Sequence, residues 1–267
     1  MKFLTSFKYK SHRLFFKKIT INFTRFAAAR FIICVCEVKV MILKLKSKKF
    51  HVQGVMSFIF EPEKPVEWEP GQYLHYVLPH PDADDRGAGR WFTISSAPFE
   101  KDIVLTTRFT DDGSGSSFKK ALHGLENGQE IEFDDGPKGF FLVQPDVTRH
   151  IFIAGGIGIT PYRSMLLQLD HDNKHIPVDL LYSNRDANFI FDEELAAVAK
   201  KHPEFKIKKY SGQQIQKDEL EIYSQGGSFM FYLSGPRPMV ESYQHMLEEL
   251  AVPEKRILTD YFPGYND

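Results

Sequence analysis

Cysteine is almost missing from this 267-residue chain, with Cys34 and Cys36 its only two. A disulfide framework and a four-thiolate metal or iron–sulfur site are thereby excluded. Net charge is nearly missing as well, at -1, which removes the electrostatic argument for nucleic acid or a strongly acidic substrate. No apolar run reaches the roughly 20 residues of a spanning helix. FIICVCEVKV (Phe31 to Val40) is short, and Arg25 and Arg30 break the stretch before it. Internal repeats, low-complexity tracts, a Ser/His/Asp arrangement and metal-ligand spacings are also lacking. Phe, by contrast, is abundant at 24 residues, many in alternating runs where core packing is the default reading.

Acidic residues are scarce in one region only. Residues 1–40 carry nine Lys/Arg against Glu37 alone. Small residues precede the apolar run here, whereas a secretory signal places its Ala-x-Ala after it. The expectation is a basic, poorly ordered extension with Met41 as the working start, or else a basic aromatic helix lying on a membrane surface.

From Met41 to about residue 146, short apolar runs alternate with turn signals: ILKLKSKKFHVQGVMSFIFEP, EPGQYLHYVLP, RWFTISSAP, DIVLTTRFT and GQEIEFDDGP. Strands of this length and spacing, punctuated by Gly and Pro, predict a small antiparallel barrel. SSFKKALHGL (Ser116 to Leu125) is its one short helix, and HPDADDRGAG (His80 to Gly89) reads as a polar loop. Over 147–267 the rhythm becomes strand, helix, strand: HIFIAGG, PYRSMLLQLDHD, VDLLYSNR, DEELAAVAKKH, FKIKKYSG, SFMFYLSGP, RPMVESYQHMLEELAV. That order predicts a parallel sheet covered on both faces. The fold class is therefore a two-domain chain, an antiparallel β-barrel followed by an α/β parallel-sheet domain.

Chemistry concentrates in a few segments. In RWFTISSAP, strand alternation puts Arg90 and Phe92 on one face, and Thr93 follows. A fixed cation, aromatic rings and hydroxyls together suit a ligand carrying a phosphate and a flat heteroaromatic ring. DDGSGSSFKKAL adds Gly113 and Gly115, then Ser116 or Ser117 as a helix cap, and helix N-termini favour phosphate. AGGIGITP (Ala154 to Pro161) is a glycine turn between an apolar strand and a helix. It is not G-x-G-x-x-G, because Pro161 stands at the third glycine position. YSNR offers Ser183 and Arg185 at the next strand end, where an Arg with a hydroxyl suits a 2′-phosphate and an acid would suit a free ribose. Lys208, Lys209 and Tyr210 lie at the following strand end and read equally as a solvated face.

The order and separation of RWFTISSAP and GGIGITP resemble those of the ferredoxin-NADP reductase superfamily, over roughly Met41 to Tyr265. The resemblance implies an FAD-dependent NAD(P)H oxidoreductase in which hydride passes from nicotinamide to flavin, and electrons then pass to a separate acceptor. Arg90 would neutralise the flavin pyrophosphate, Phe92 (Tyr in the family pattern) would lie against the flavin ring, and Thr93 would bond near its N5. Gly115, Ser116 and Ser117 would hold the diphosphate, favouring FAD over FMN. Gly155, Gly156, Gly158, Thr160 and Pro161 would form the nicotinamide nucleotide's pyrophosphate turn, and Ser183 and Arg185 imply a slight preference for NADPH. SGPRPM (Ser234 to Met239) resembles the family's Cys-Gly-x-x-x-Met segment, with Ser234 where Cys often faces the nicotinamide, followed by Gly235 and Pro236. Phe262 or Tyr265 in the TDYFPGY tail would shield the flavin, or else pack on the sheet edge. GPKGFF and EPGQY recur in the family as structural turns.

The implied acceptor is a ferredoxin, a flavodoxin or an oxygenase component, in the cytoplasm. Alternatives are a reductase of ferric chelates or free flavin, and a flavin-binding membrane-associated module without turnover. No metal and no nucleic acid are expected.

Overall fold

The computed structural model describes residues 40–109, 115–145, 147–224 and 229–262. Both of its sheets belong to one compact unit.

The first sheet contains β1 (Met41–Val52), β2 (Val55–Pro62), β3 (Tyr73–Val77), β4 (Gly89–Thr93), β5 (Ile103–Arg108) and β6 (Glu130–Lys138), with α1 (Ser117–Gly124) between the last two. Its six strands run β4-β3-β6-β1-β2-β5, paired antiparallel throughout. The backbone beyond β4 then returns to β5: Ile94 bridges Leu105, and the Ser95 N–H donates to the Val104 carbonyl at 2.8 Å. Those contacts close the sheet into a barrel and remove the exposed edges that an open sheet leaves. Leu43, Phe58, Phe60, Leu74, Ile94, Leu105 and Phe133 are buried together, with Phe118 and Leu122 of α1 in the same cluster.

The second sheet is parallel and ordered β11-β10-β7-β8-β9. Its elements are β7 (Arg149–Gly155), α2 (Ile159–His171), β8 (Val178–Asn184), α3 (Asp192–Lys201), β9 (Lys206–Ser211), α4 (Lys217–Ser224), β10 (Phe229–Pro236), α5 (Arg237–Glu249) and β11 (Ile257–Phe262). Alternation sorts its side chains between two helix layers. Phe152, Ala154, Leu180, Tyr182 and Tyr232 pack toward α2 and α3, whereas Ile151, Ile153, Leu181, Phe231 and Leu233 pack toward α4 and α5. From β7 the chain proceeds outward through β8 and β9, then returns to the other side of β7 with β10. The switch point of the sheet therefore lies between β7 and β10, and open α/β sheets bind ligands at such a point, outside the carboxyl ends of the strands.

Two elements go beyond the sequence expectation. α4 is a short helix with Asp218 and Glu219 in its first turn. The tail expected over Thr259 to Tyr265, aromatic and turn-rich and shielding a flavin or packed on the sheet edge, begins within an edge strand, β11, that runs parallel to β10.

Candidate functional site

β4 carries the first group. Arg90 and Phe92 point the same way, as alternation requires, and both meet Phe118 of α1. The Arg90 guanidinium carbon is 6.0 Å from that ring, and the Phe92 ring centre is 5.6 Å from it. Thr93 is buried. On the opposite face the exposed Trp91 stacks on His75 at 4.6 Å.

Arg90 is not an open cation. Its Nη2 donates to Asp84 Oδ1 at 2.5 Å, and its Nη1 serves the carbonyls of Arg86, Gly87 and Gly89 at 3.1, 2.8 and 2.6 Å. Asp84 Oδ2 in turn accepts the Ser117 N–H at the start of α1 at 3.2 Å, and Ser117 Oγ accepts the Asp84 N–H at 3.0 Å. Arg86 grips the same carboxylate at 2.8 Å. Bonds from Arg86, then from Arg90 and Ser117, hold the Asp84 carboxyl well below the usual range. The sequence reading gives Arg90 to a flavin pyrophosphate and Ser116 or Ser117 to the helix cap; the structure adds Asp84, from the polar loop 80–89, as a partner of Arg90 and Ser117. A guanidinium beside a helix N-terminus is a strong anion site, and the nearest carboxylate has entered it. Ser116, rather than Ser117, is the cap, accepting the Lys119 N–H at 3.4 Å. Gly115 leads into that cap, and Gly113 lies outside the described residues.

The fit to a phosphate follows from the occupant. The Asp84 carboxylate stands where phosphate oxygens would accept the same donors, and the buried Arg90 Nε has no partner among the described residues.

The second group lies at the switch point. A 3-10 turn, Gly156–Gly158, joins β7 to α2, and Pro161 is the third residue of that helix, where a missing N–H costs nothing. At Gly155 and Gly158, whose backbone the sequence reading gives to a pyrophosphate, the space a Cβ would take is filled by the chain itself. A Cβ on Gly158 would meet the Ser234 carbonyl at 2.1 Å, and one on Gly155 would meet Met239 Sδ at 2.2 Å. Gly235, with φ +154°, faces Met239 and Gly155 in the same way, and Pro236 caps α5. Of the turn's glycines only Gly156 has room, with φ +53° and nothing nearer to an added Cβ than Asn184 Oδ1 at 3.7 Å. The Thr160 hydroxyl is also spent internally, donating to the Ile157 carbonyl at 3.1 Å from a buried position.

Ser234 is fully buried, and its Oγ donates to Asp260 Oδ2 on β11 at 3.4 Å. Burial pushes the Asp260 carboxyl up to about 6, against the opposing pull of the Ser234 bond. Sequence reasoning passed over Asp260 because the strand that carries it was read as a tail. Beside it the Tyr162 hydroxyl donates to the Tyr232 carbonyl at 2.7 Å.

At the end of β8, Ser183 Oγ donates to the Gln213 carbonyl at 3.0 Å, and Arg185 is exposed. Asp186 is held by Asn184 Nδ2 and the Asn188 N–H. Lys208 and Lys209 are paired with Glu219 and Asp192. A cleft of about 250 Å³ runs between Asp186 and Asn188 on this side and Arg108, at the end of β5, on the other. Tyr265 lies outside the described residues, as do the basic residues 1–39.

The model of the oxidoreductase NAD-binding domain family matches residues 152–245. The chain is 30% identical over 205 residues to the ferredoxin reductase component of 3-ketosteroid-9-alpha-monooxygenase from Rhodococcus rhodochrous, covering 73% of this chain and 56% of that one. It is 27% identical over 232 residues to a flavohemoprotein of Rhodopirellula baltica, covering 78% and 57%. It thus spans little more than half the length of these relatives. Among solved structures, the FAD/NAD-binding domain of nitric oxide dioxygenase from Vibrio cholerae superposes with a TM-score of 0.72 at 22% identity, covering 83% of this chain and 98% of that one. A ferredoxin NADP+ reductase from Neisseria gonorrhoeae with bound FAD and NADP superposes with 0.70 at 19% identity, covering 84% and 98%.

Proposed function

We propose that the chain is a member of the ferredoxin-NADP reductase superfamily and, on that premise, an FAD-dependent NAD(P)H oxidoreductase serving a separate oxygenase component. In this reading residues 41–146 hold the flavin and 147–267 the nicotinamide nucleotide. The observation that carries it is the anion already seated between Arg90 and the N-terminus of α1, next to Phe92. A flavin needs a phosphate cradle and an apolar ring neighbour, and both are set on one strand face.

When bound, FAD would supply the redox chemistry: acceptance of hydride, two electrons with one proton, and release of electrons one at a time. The chain's own task is binding and orientation. Arg90 and the Ser117 amide neutralise phosphate once Asp84 has yielded them. Phe92 offers ring contact, and Thr93 a hydroxyl at the same strand end. Gly156 leaves backbone room at the start of α2 for the second nucleotide's pyrophosphate, and Arg185 and Ser183 turn the preference slightly to NADPH. Ser234 and Asp260, bonded to each other on adjacent strands, lie at the carboxyl ends beside the Gly156–Gly158 turn.

The choice of an oxygenase partner follows the relatives, several of which are named as reductase or electron-transfer components of oxygenases. The chain's cysteine content leaves no four-thiolate iron–sulfur site of its own. No helix among the described residues is long and apolar enough to cross a membrane. The test is steady-state NADPH and NADH consumption by purified protein with a dye, a ferric chelate, free flavin and an oxygenase component as alternative acceptors. Turnover with the dye and fastest turnover with the protein acceptor is the expected pattern. Fastest turnover with free flavin or the chelate would replace the oxygenase with a small-molecule acceptor, and no turnover with any would end the enzyme reading.

A further inference from the structure

One helix reaches both candidate sites. α2 begins at the Gly156–Gly158 turn, and its next turns hold the barrel backbone that runs on from β4. Arg163 Nη1 donates to the Ser95 carbonyl at 2.8 Å and to Glu100 Oε2 at 2.9 Å, and Nη2 donates to Glu100 Oε1 at 3.0 Å. Its Nε donates to Glu194 Oε2 of α3 at 2.6 Å. Ser164 Oγ donates to the Ser96 carbonyl at 2.6 Å, and one turn on, Gln168 Oε1 accepts the Phe99 N–H at 3.1 Å. Glu100 is itself fixed, its Oε2 accepting the Ala97 N–H at 2.6 Å. The gripped stretch, Ile94 to Ala97, is fully buried.

Cohesion alone does not call for this arrangement. Apolar contacts already join the two sheets, with Phe141 of the barrel side packed 5.7 Å from Tyr162 and 5.6 Å from Tyr232. Buried ion pairs are poor stabilisers compared with apolar packing of the same volume, whereas a guanidinium fork against a carboxylate and a carbonyl fixes direction as well as distance. Ser95 follows Thr93 by two positions, and Arg163 follows Thr160 by three. The lock therefore lies one short step from each site.

We infer that Arg163 is a positioning residue: held by Ser95 and Glu100, it sets the helix that carries the nucleotide turn relative to the strand that carries Phe92 and Thr93. The inference rests on the function proposed above. Hydride transfer needs reacting atoms about 3–3.5 Å apart, and an error of 1 Å costs on the order of 100-fold. Lysine keeps the charge but not the fork, so Arg163→Lys separates geometry from electrostatics.

The test uses full-length, FAD-loaded protein and the variants Arg163→Gln, Arg163→Lys and Glu100→Gln. FAD content, NADPH affinity, the anaerobic rate of flavin reduction at saturating NADPH, and the long-wavelength charge-transfer absorbance of stacked nicotinamide and flavin are measured together. The expected result for Arg163→Gln is retained FAD, little change in NADPH affinity, a rate reduced roughly 10- to 100-fold, and a weakened charge-transfer band. Arg163→Lys and Glu100→Gln should fall between this variant and wild type, and they decide the question if Arg163→Gln does not fold. Folded, flavin-loaded variants with wild-type rate and wild-type band would overturn the inference. A wild-type protein that takes up no flavin would overturn the functional reading instead, before any variant is compared.

Discussion

The two candidate sites are built from different materials. The barrel site is made by side chains: Arg90, Asp84 and Phe92 define it, and its charge is balanced by a carboxylate from a neighbouring loop. The switch-point site is made by backbone, with glycines that let β7, β10 and α5 close on one another and hydroxyls turned inward. Charge at the first can be exchanged for a ligand's charge. Volume at Gly155, Gly158 and Gly235 cannot be exchanged, because the chain already fills it, and room is left at Gly156. Substitutions should therefore change affinity at the barrel site and folding at the switch point.

The largest expected effect is at Gly158. A Cβ at 2.1 Å from a backbone carbonyl has no flexible neighbour to displace, so Gly158→Ala should cost roughly 3 kcal/mol or more, the upper end of overpacking. Gly156→Ala meets only an ordinary contact with Asn184 and bears its left-handed φ, a cost of about 1–2 kcal/mol. Thermal or denaturant unfolding of both variants measures the difference, and equal losses would mean that the switch point is not backbone-packed as described.

Asp260 sharpens the same contrast through pH. Its folded value, near 6, lies above the ordinary 3.8, so the folded state binds the extra proton. The stability it contributes is fully present below about pH 4 and is lost as pH rises through 6, a swing on the order of 2–3 kcal/mol. Asp260→Asn should flatten that part of the stability profile and leave the protein more stable at pH 7 relative to wild type. A profile unchanged between pH 4 and 7 would show that the carboxyl is not held in a desolvated crevice.

At the barrel site the first effect is on flavin affinity. Arg90→Ala removes charge-assisted bonds worth about 1.5–3 kcal/mol, so FAD should bind roughly 10- to 100-fold more weakly, with a smaller change in the unfolding midpoint. Asp84→Asn should act in the opposite direction and more gently. With the competing charge gone, Arg90 and the Ser117 amide meet phosphate unopposed, and FAD affinity should rise severalfold by titration. A loss of affinity on Asp84→Asn would mean that the carboxylate orients the cradle instead of occupying it.

The legibility of the two regions differs for the same reason. Strand alternation marks residues such as Phe58, Phe60, Leu105 and Phe133 as barrel core, and the glycine turn at 155–158 marks the junction of β7 with α2. What those glycines face is a matter of tertiary approach, and a glycine reads the same whether it borders a ligand or another strand. Asp84 was hidden because loop 80–89 has no periodicity, and a loop acid acquires meaning only when the fold sets it against Arg90. β11 was missed because Pro263 and Gly264 follow it at once and lend the segment the composition of a turn.

The central claim is that these two sites hold a flavin and a nicotinamide nucleotide for one reaction. Anaerobic titration of the purified full-length protein with NADPH, followed in the visible flavin band, tests it most directly. The account predicts a yellow protein, reconstituted with FAD where necessary, whose band bleaches in proportion to the NADPH added. Folded protein that accepts neither FAD nor FMN, or a bound flavin that neither NADPH nor NADH reduces, would contradict it.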